Sequence, residues 1–209
     1  MKPLLALLVL LSGLLGAGAS PKVQVSFSPL TKTAYAAALK QQVRTRPQVT
    51  YPLKKQGGRI SIPTTGGVKV FRDRGMGTDD LEQAQYDYAG YWPQFRRHVV
   101  VAHLWERTEW LLVADNGKQL QLYDTPLFGP GLQRFVVASG GIESGGYPNT
   151  IQLFQWKDGS FAKSWETVPT DWEPEQVTWT SANTLVVSKK MWTAASAGTA
   201  HEYVRLSIR

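Results

Sequence analysis

From Trp92 to the C-terminus, one pattern of apolar and polar positions recurs three times. In the first copy an aromatic anchor and a turn, Trp92-Pro-Gln-Phe, lead into an apolar run from Val99 to His103. A second apolar run, Trp110 to Ala114, then turns through Asp115-Asn116-Gly117 into Gln119 to Tyr123. The second copy runs from Phe128 through Val136-Val137, Ile151 to Trp156 and the turn Asp158-Gly159 to Phe161–Trp165. The third opens at Trp179, continues through Leu185-Val-Val and ends on His201 to Ile208. Short apolar runs rich in Val, Phe and Trp predict strands. Asn-Gly and Asp-Gly supply the positive φ that a tight hairpin requires. The anchors Trp92, Phe128 and Trp179 are spaced by 36 and then 51 residues, a period at which one supersecondary unit stacks on the next. The repeats are placed at about 91–125, 126–171 and 172–209.

Upstream the pattern is looser. Arg59-Ile-Ser-Ile-Pro and Val68-Lys-Val-Phe-Arg flank Thr64-Thr-Gly-Gly, which predicts a hairpin. Gln48 to Gln56 is extended and polar-basic. Asp79, with Glu82 three residues on, has the form of a capping box and predicts one short helical turn. An aromatic cluster follows: Tyr86, Tyr88, Tyr91 and Trp92. Nearer the N-terminus, Val23, Val25 and Phe27 alternate as in a short strand. Ser28-Pro29 then predicts a helix start, with Ser as N-cap and Pro at the first helical position. Leu30, Ala34, Ala37 and Ala38 share one face of that helix, extended by Tyr35, Leu39 and Val43, and the helix ends before Arg46-Pro47. The fold class is therefore mostly β: antiparallel blade-like meanders with one N-terminal amphipathic helix. The meanders form an open stack, a sandwich or a partial propeller.

Phe128-Gly-Pro-Gly-Leu-Gln-Arg-Phe-Val-Val resembles the aromatic-Ser-Pro-Asp-Gly opening of a blade in TolB-type and WD-repeat β-propellers. Gly129 stands where that pattern has Ser, and Gly131 where it has Asp. The resemblance spans roughly residues 91–209 and implies blade-like meanders. It carries no activity with it, because such folds host many functions.

Before these elements comes an export signal. Lys2 gives one positive charge, Leu4 to Leu15 is apolar, and Ala17-Gly18-Ala19 is a small-residue cleavage box. The apolar run is too short to span a bilayer. Residues 1–19 are therefore read as a secretory signal peptide, 20–57 as an N-terminal extension and 58–209 as the β domain. The product is expected in the periplasm or medium, with no stable membrane anchor.

Composition narrows the chemistry. The chain has no Cys, which excludes disulfides, thiolate metal sites and thiol nucleophiles. Of the three His, His98 and His103 lie at odd spacing on one strand and face opposite ways. His103 with Glu106 or Glu109 is a weak pair. Asp73, Asp79, Asp80, Glu82 and Asp87 are oxygen-rich but match no calcium-loop spacing, and no metal or cofactor is expected. No nucleophile elbow or phosphate loop is present. Ser139-Gly-Gly-Ile-Glu-Ser-Gly-Gly-Tyr has the composition of a mobile binding loop.

The formal net charge is +7. Arg44, Arg46, Lys54, Lys55, Arg59, Lys69, Arg72, Arg74, Arg96 and Arg97 concentrate in the first half of the mature chain. Such a surface suits an anionic glycan or another envelope protein, and nucleic acid is not expected. The leading expectation is a non-enzymatic binding or interaction module that contacts its partner through Tyr86, Tyr88, Tyr91, Trp92, Arg96, Arg97, Glu143 and Tyr147. The alternatives are a carbohydrate-active hydrolase using Glu106, Glu109 or Glu143, and a structural envelope protein that dimerises through sheet edges.

Overall fold

The described residues, 23–75, 77, 81–143 and 145–209, form fourteen strands, one α-helix and one 3-10 turn in the computed structural model. The expected export signal at 1–19 and the expected Asp79 cap lie outside the described residues. The chain opens with strand β1 (Val25–Leu30) and helix α1 (Lys32–Leu39), followed by the hairpin β2 (Arg59–Thr64) and β3 (Gly67–Arg72). Three antiparallel sheets follow. The first is β4 (Ala84–Trp92), β5 (Arg97–Leu104), β6 (Arg107–Ala114) and β7 (Gln119–Leu122). The second is β8 (Leu127–Phe128), β9 (Arg134–Ser139), β10 (Thr150–Lys157) and β11 (Ser160–Thr167). The third is β12 (Trp172–Ser181), β13 (Thr184–Met191) and β14 (Ala200–Ile208), with β1 returning to pair against β14 as its fourth strand.

The sheets stack face to face because their strands are apolar on both sides. In the first sheet Val99 and Leu112 face the second sheet, while Val100, Leu111 and Val113 face Ile60, Ile62 and Phe71 of the hairpin. In the second, Phe135, Val137 and Phe154 meet the first sheet, and Val136, Ile151 and Leu153 meet Val177, Trp179, Leu185 and Leu206 of the third. A stack built this way needs its end faces covered. The hairpin covers one. Helix α1 covers the other, where Tyr35 stacks on Tyr203 at 4.5 Å and its hydroxyl donates to Gln176 Oε1 at 3.0 Å.

Two expectations are corrected, and one stretch gains a structure that the sequence left open. Ser28 and Pro29 do not start the helix. They belong to β1, where Pro29 sits opposite Val204 in an edge strand that tolerates a missing N–H. Thr31 is the cap, its Oγ1 accepting from Ala34 N at 3.1 Å. The helix ends at Leu39 rather than near Arg46, and Tyr35 is its one buried residue. The chain then extends, and Val43 N donates to Trp179 O at 2.8 Å. Lastly, the aromatic cluster before Trp92 is a strand, β4. Its register shifts between Tyr88 and Gly90, so Ala89 is an extra, bulged residue. That bulge re-aims the side chains. Tyr86, Tyr88 and Tyr91 share the face that carries Val100 and His98, while Trp92 turns to the second sheet.

Candidate ligand-binding cleft

Each sheet begins with a strand that is an edge of its own sheet: β4, β8 and β12. Unpaired edges expose backbone N–H and C=O groups. The extended segment 43–50 runs along all three edges and ties to each in turn. Val43 N donates to Trp179 O of β12, Thr45 bridges Phe128 of β8, and Thr50 exchanges backbone bonds with Tyr91 of β4 at 2.9 and 2.7 Å. This strap crosses β4 at Gly90, whose φ of +114° leaves no room for a side chain. A Cβ there would lie 2.4 Å from Val49 Cγ1 and 2.9 Å from Thr50 O.

Between the strap and the three edges lies a cleft of about 610 Å³. Its apolar wall is Trp92, Trp110, Phe128 and Trp179, together with Val99 and Val177. Trp92 and Phe128 meet edge to face at 5.3 Å, and Trp179 donates its indole N–H to Leu127 O at 2.8 Å, so the rings are fixed by their neighbours. The strap contributes Thr45 and the exposed Arg44 and Arg46, and Gln42 just before it also lines the cleft. A concave, mostly apolar space of this size with a few polar groups at its rim is the usual form of a small-molecule site.

Of the eight partner-contacting residues expected from sequence, Trp92 alone lines this cleft. Tyr88 and Tyr91 flank His98 on the hairpin side of the first sheet. The Tyr88 hydroxyl and His98 Nδ1 share a 2.8 Å hydrogen bond, and the Tyr91 ring lies 4.7 Å from the imidazole. Burial, with Tyr91 beside it, pushes the Tyr88 phenol up to about 12. Tyr86 packs on Phe71. Arg96 pairs with Asp115 at 2.5 Å, which holds its guanidinium more firmly protonated. Arg97 donates to Phe95 O, Arg96 O and Gly159 O and lies 5.3 Å from the Trp156 ring, fastening the first sheet to the second. Burial lowers its pKa.

Glu143 and Tyr147 lie in the connection between β9 and β10 and do not line the cleft. Glu143 pairs with Lys190 at 2.5 Å, and the Tyr147 hydroxyl bonds to Thr108. The loop that carries them, expected as a mobile binding element, is pinned. Glu173 accepts from Ile142 N and Glu143 N at 2.5 and 2.9 Å, Ser139 Oγ donates to Pro148 O, and Asn149 Nδ2 donates to Pro169 O and Trp172 O. The other Glu173 oxygen accepts the Trp192 indole N–H at 2.7 Å. Both oxygens of this buried carboxylate are thus acceptors. Glu173→Gln replaces one of them with a donor, which must face either the loop N–H groups or the indole. It is expected to lower stability by roughly 2 kcal/mol, measured by urea unfolding. A variant as stable as the parent would remove Glu173 as the clasp.

The remaining candidates are engaged locally. Glu109 is closed by Arg107 at 2.9 Å. His103 meets Asp87 and Thr108 rather than Glu106 or Glu109. Asp73 and Asp87 share Lys55. Among the described residues, no group of three or more His, Asp or Glu is placed to hold a metal, and no helix is long and apolar enough to cross a membrane. Comparison with protein-family models, curated proteins and solved structures finds no match.

The titratable groups give a two-stage pH dependence. Burial lowers the His98 pKa, with Asp115 partly offsetting it. The unfolded chain therefore takes up that proton first, and stability falls as pH drops below about 6.5. At Asp73 burial opposes ionisation, but the Lys55 ammonium and the Tyr86 N–H outweigh it, so its pKa is lowered. Hydrogen bonds from Gln152 and Lys163 lower Glu166, and the bond from Ser188 lowers Glu175. Their contribution is present above the ordinary carboxylate range, near 4, and disappears as pH falls through the depressed values. Unfolding free energies at pH 7.5, 5.5 and 3.5 should fall in both intervals. The loss in the first interval should shrink in His98→Gln, and a flat profile from 7.5 to 5.5 would count against the buried imidazole.

Proposed function

We propose that this chain is an exported, non-enzymatic binding module that holds a small, largely apolar ligand in the cleft beneath the 43–50 strap. The observation that carries the reading is the cleft of about 610 Å³ walled by Trp92, Trp110, Phe128 and Trp179 where the three sheets converge. The strap supports it, because a segment tied at only a few points to three edges can give way to a ligand more readily than a sheet strand can. The local pairing of Glu109 with Arg107 and of Glu143 with Lys190 agrees with a protein whose carboxylates hold loops in place. The N-terminal apolar run and its Ala17-Gly18-Ala19 box support export.

The test is a titration of the mature chain with decyl compounds, followed by tryptophan fluorescence and thermal unfolding. A ligand at one hundred times its Kd stabilises the fold by about 2.7 kcal/mol. Thr125, an exposed residue at the cleft, provides the control. Thr125→Trp places an indole in the opening and should abolish the response while leaving the ligand-free melting temperature within a degree or two. A response that survives Thr125→Trp, or no response at all, would overturn the reading.

A further inference from the structure

Among the described residues that line the cleft, Arg44 and Arg46 are the only charged ones, and no carboxylate accompanies them. Elsewhere Lys55, Arg96, Arg107, Lys163, Lys189 and Lys190 each have an acidic partner within 4.0 Å. Among the described residues Arg44 bonds only to the neutral Gln42 Oε1, through Nε at 3.1 Å, and Arg46 has no ion pair. Arg44 and Arg46 are two residues apart on an extended strap. Both guanidinium groups therefore project from the same side of it, beside an apolar wall of indole and phenyl rings.

We infer that the ligand of this cleft is an anionic amphiphile: an apolar body against Trp92, Phe128 and Trp179, and one acidic head group held by Arg44 and Arg46. The inference rests on the cleft being a binding site and adds the charge and shape class of what it takes. Guanidinium groups bind carboxylates and related oxyanions through paired, charge-assisted hydrogen bonds. With no acidic side chain to compete, the rim presents a positive potential to an incoming anion and repels a cation of the same length. The apolar wall supplies affinity that does not depend on charge, so a neutral analogue binds more weakly rather than not at all. Gln42, just before the strap, and Thr45 on it add neutral hydrogen-bonding groups for the head.

The experiment uses three probes of equal chain length: decanoate and decyltrimethylammonium below their micellar concentrations, and decan-1-ol below its solubility limit. Each is titrated into the mature chain, the Arg44→Gln/Arg46→Gln double variant and Thr125→Trp. Decanoate should bind about ten-fold more tightly than decanol, and the cation more weakly than either. The double variant should lose about ten-fold in decanoate affinity and keep its decanol affinity. Raising the salt concentration should weaken decanoate alone. Both arginines are exposed, so the double variant should fold normally, and its urea midpoint checks this.

Equal affinities for decanoate and decanol, or a double variant that keeps the parent's decanoate affinity, would overturn the anion assignment while leaving the binding site standing. Decanoate binding unaffected by Thr125→Trp would place the anion on the basic surface and overturn the assignment as well. If none of the three probes binds, the cleft is not a ligand site and the inference falls with the reading beneath it.

Discussion

Gly90→Ala is expected to be among the most damaging single-methyl changes in the chain. Two independent effects coincide at this position. Its φ of +114° lies where an L-residue is strained, a penalty of roughly 1–3 kcal/mol. The new Cβ would also meet Val49 Cγ1 at 2.4 Å and the carbonyl oxygen of Thr50 at 2.9 Å. A valine methyl can turn aside, but the Thr50 carbonyl is committed to its bond with Tyr91 N. Overpacking of this kind adds about 1–3 kcal/mol. Together these remove on the order of 4 kcal/mol, a large part of the stability of an ordinary domain. The chain has two ways to respond. It can lose the strap from β4, which would open the cleft and weaken decanoate binding with little change in the urea m-value. Otherwise the bulge at Ala89 flattens and the whole domain is destabilised. Urea unfolding and ligand titration on one sample separate the two. Gly66→Ala is the control, since nothing lies within 4 Å of its would-be Cβ and its φ is ordinary. A Gly90→Ala protein as stable as Gly66→Ala would mean that the strap does not cross β4 there.

Gly90 also marks where sequence reasoning stopped working. Hairpins closed by Asn116-Gly117 and Asp158-Gly159, and the one flanking Gly66-Gly67, are legible because the turn and both strands lie within a few residues of each other. Strand β4 was hidden by its own bulge. Ala89 breaks the two-residue alternation, so Tyr86, Tyr88, Tyr91 and Trp92 look like a cluster rather than a strand with two faces. Pro29 misled for a related reason. Beside Ser28 it has the form of a helix start, and only the pairing of β1 with β14, from the far end of the chain, makes an edge strand the better use of it. The 43–50 strap depends on three partners scattered from Tyr91 to Trp179, and no local pattern encodes that.

The cleft was half legible. Trp92, Phe128 and Trp179 stand out along the chain as the recurring aromatic anchors, and each lies on the first strand of its sheet. The repeat therefore identified three of the lining rings without showing that they converge. Arg96, Arg97 and Glu143 stood out by charge, yet their partners are Asp115, the backbone carbonyls near Gly159, and Lys190. Charge in a sequence locates a side chain but not the group that neutralises it. Arg44 and Arg46 were two of ten basic residues, and what distinguishes them is that they line the cleft, a property of the folded chain alone.

Trp179→Ala should produce the second large effect, for reasons that bear on both stability and binding. The residue is 2% exposed and belongs to the core between the second and third sheets. Its indole N–H holds Leu127 O, its carbonyl holds Val43 N of the strap, and its ring lines the cleft. Truncating a buried Trp to Ala typically costs about 3–5 kcal/mol, and Leu127 O is left without its donor. Trp179→Phe keeps most of the ring but not the hydrogen bond, and should cost about 1–2 kcal/mol less than the alanine variant. Gly129 tests whether the ring lies where it is described. A Cβ on Gly129 would sit 3.1–3.2 Å from three indole carbons. Gly129→Ala should therefore destabilise the parent and be close to neutral in the Trp179→Ala background, where the methyl enters the space the ring has left. Residues in contact show such non-additivity by about 0.5–3 kcal/mol. If the two changes simply add in a urea-unfolding double-mutant cycle, Trp179 does not pack over Gly129, and the ring assigned to the cleft belongs elsewhere. Coupling of the expected sign would place the aromatic anchor of the third sheet against the turn that opens the second, which is the contact that brings the edge strands β8 and β12 together beside the cleft.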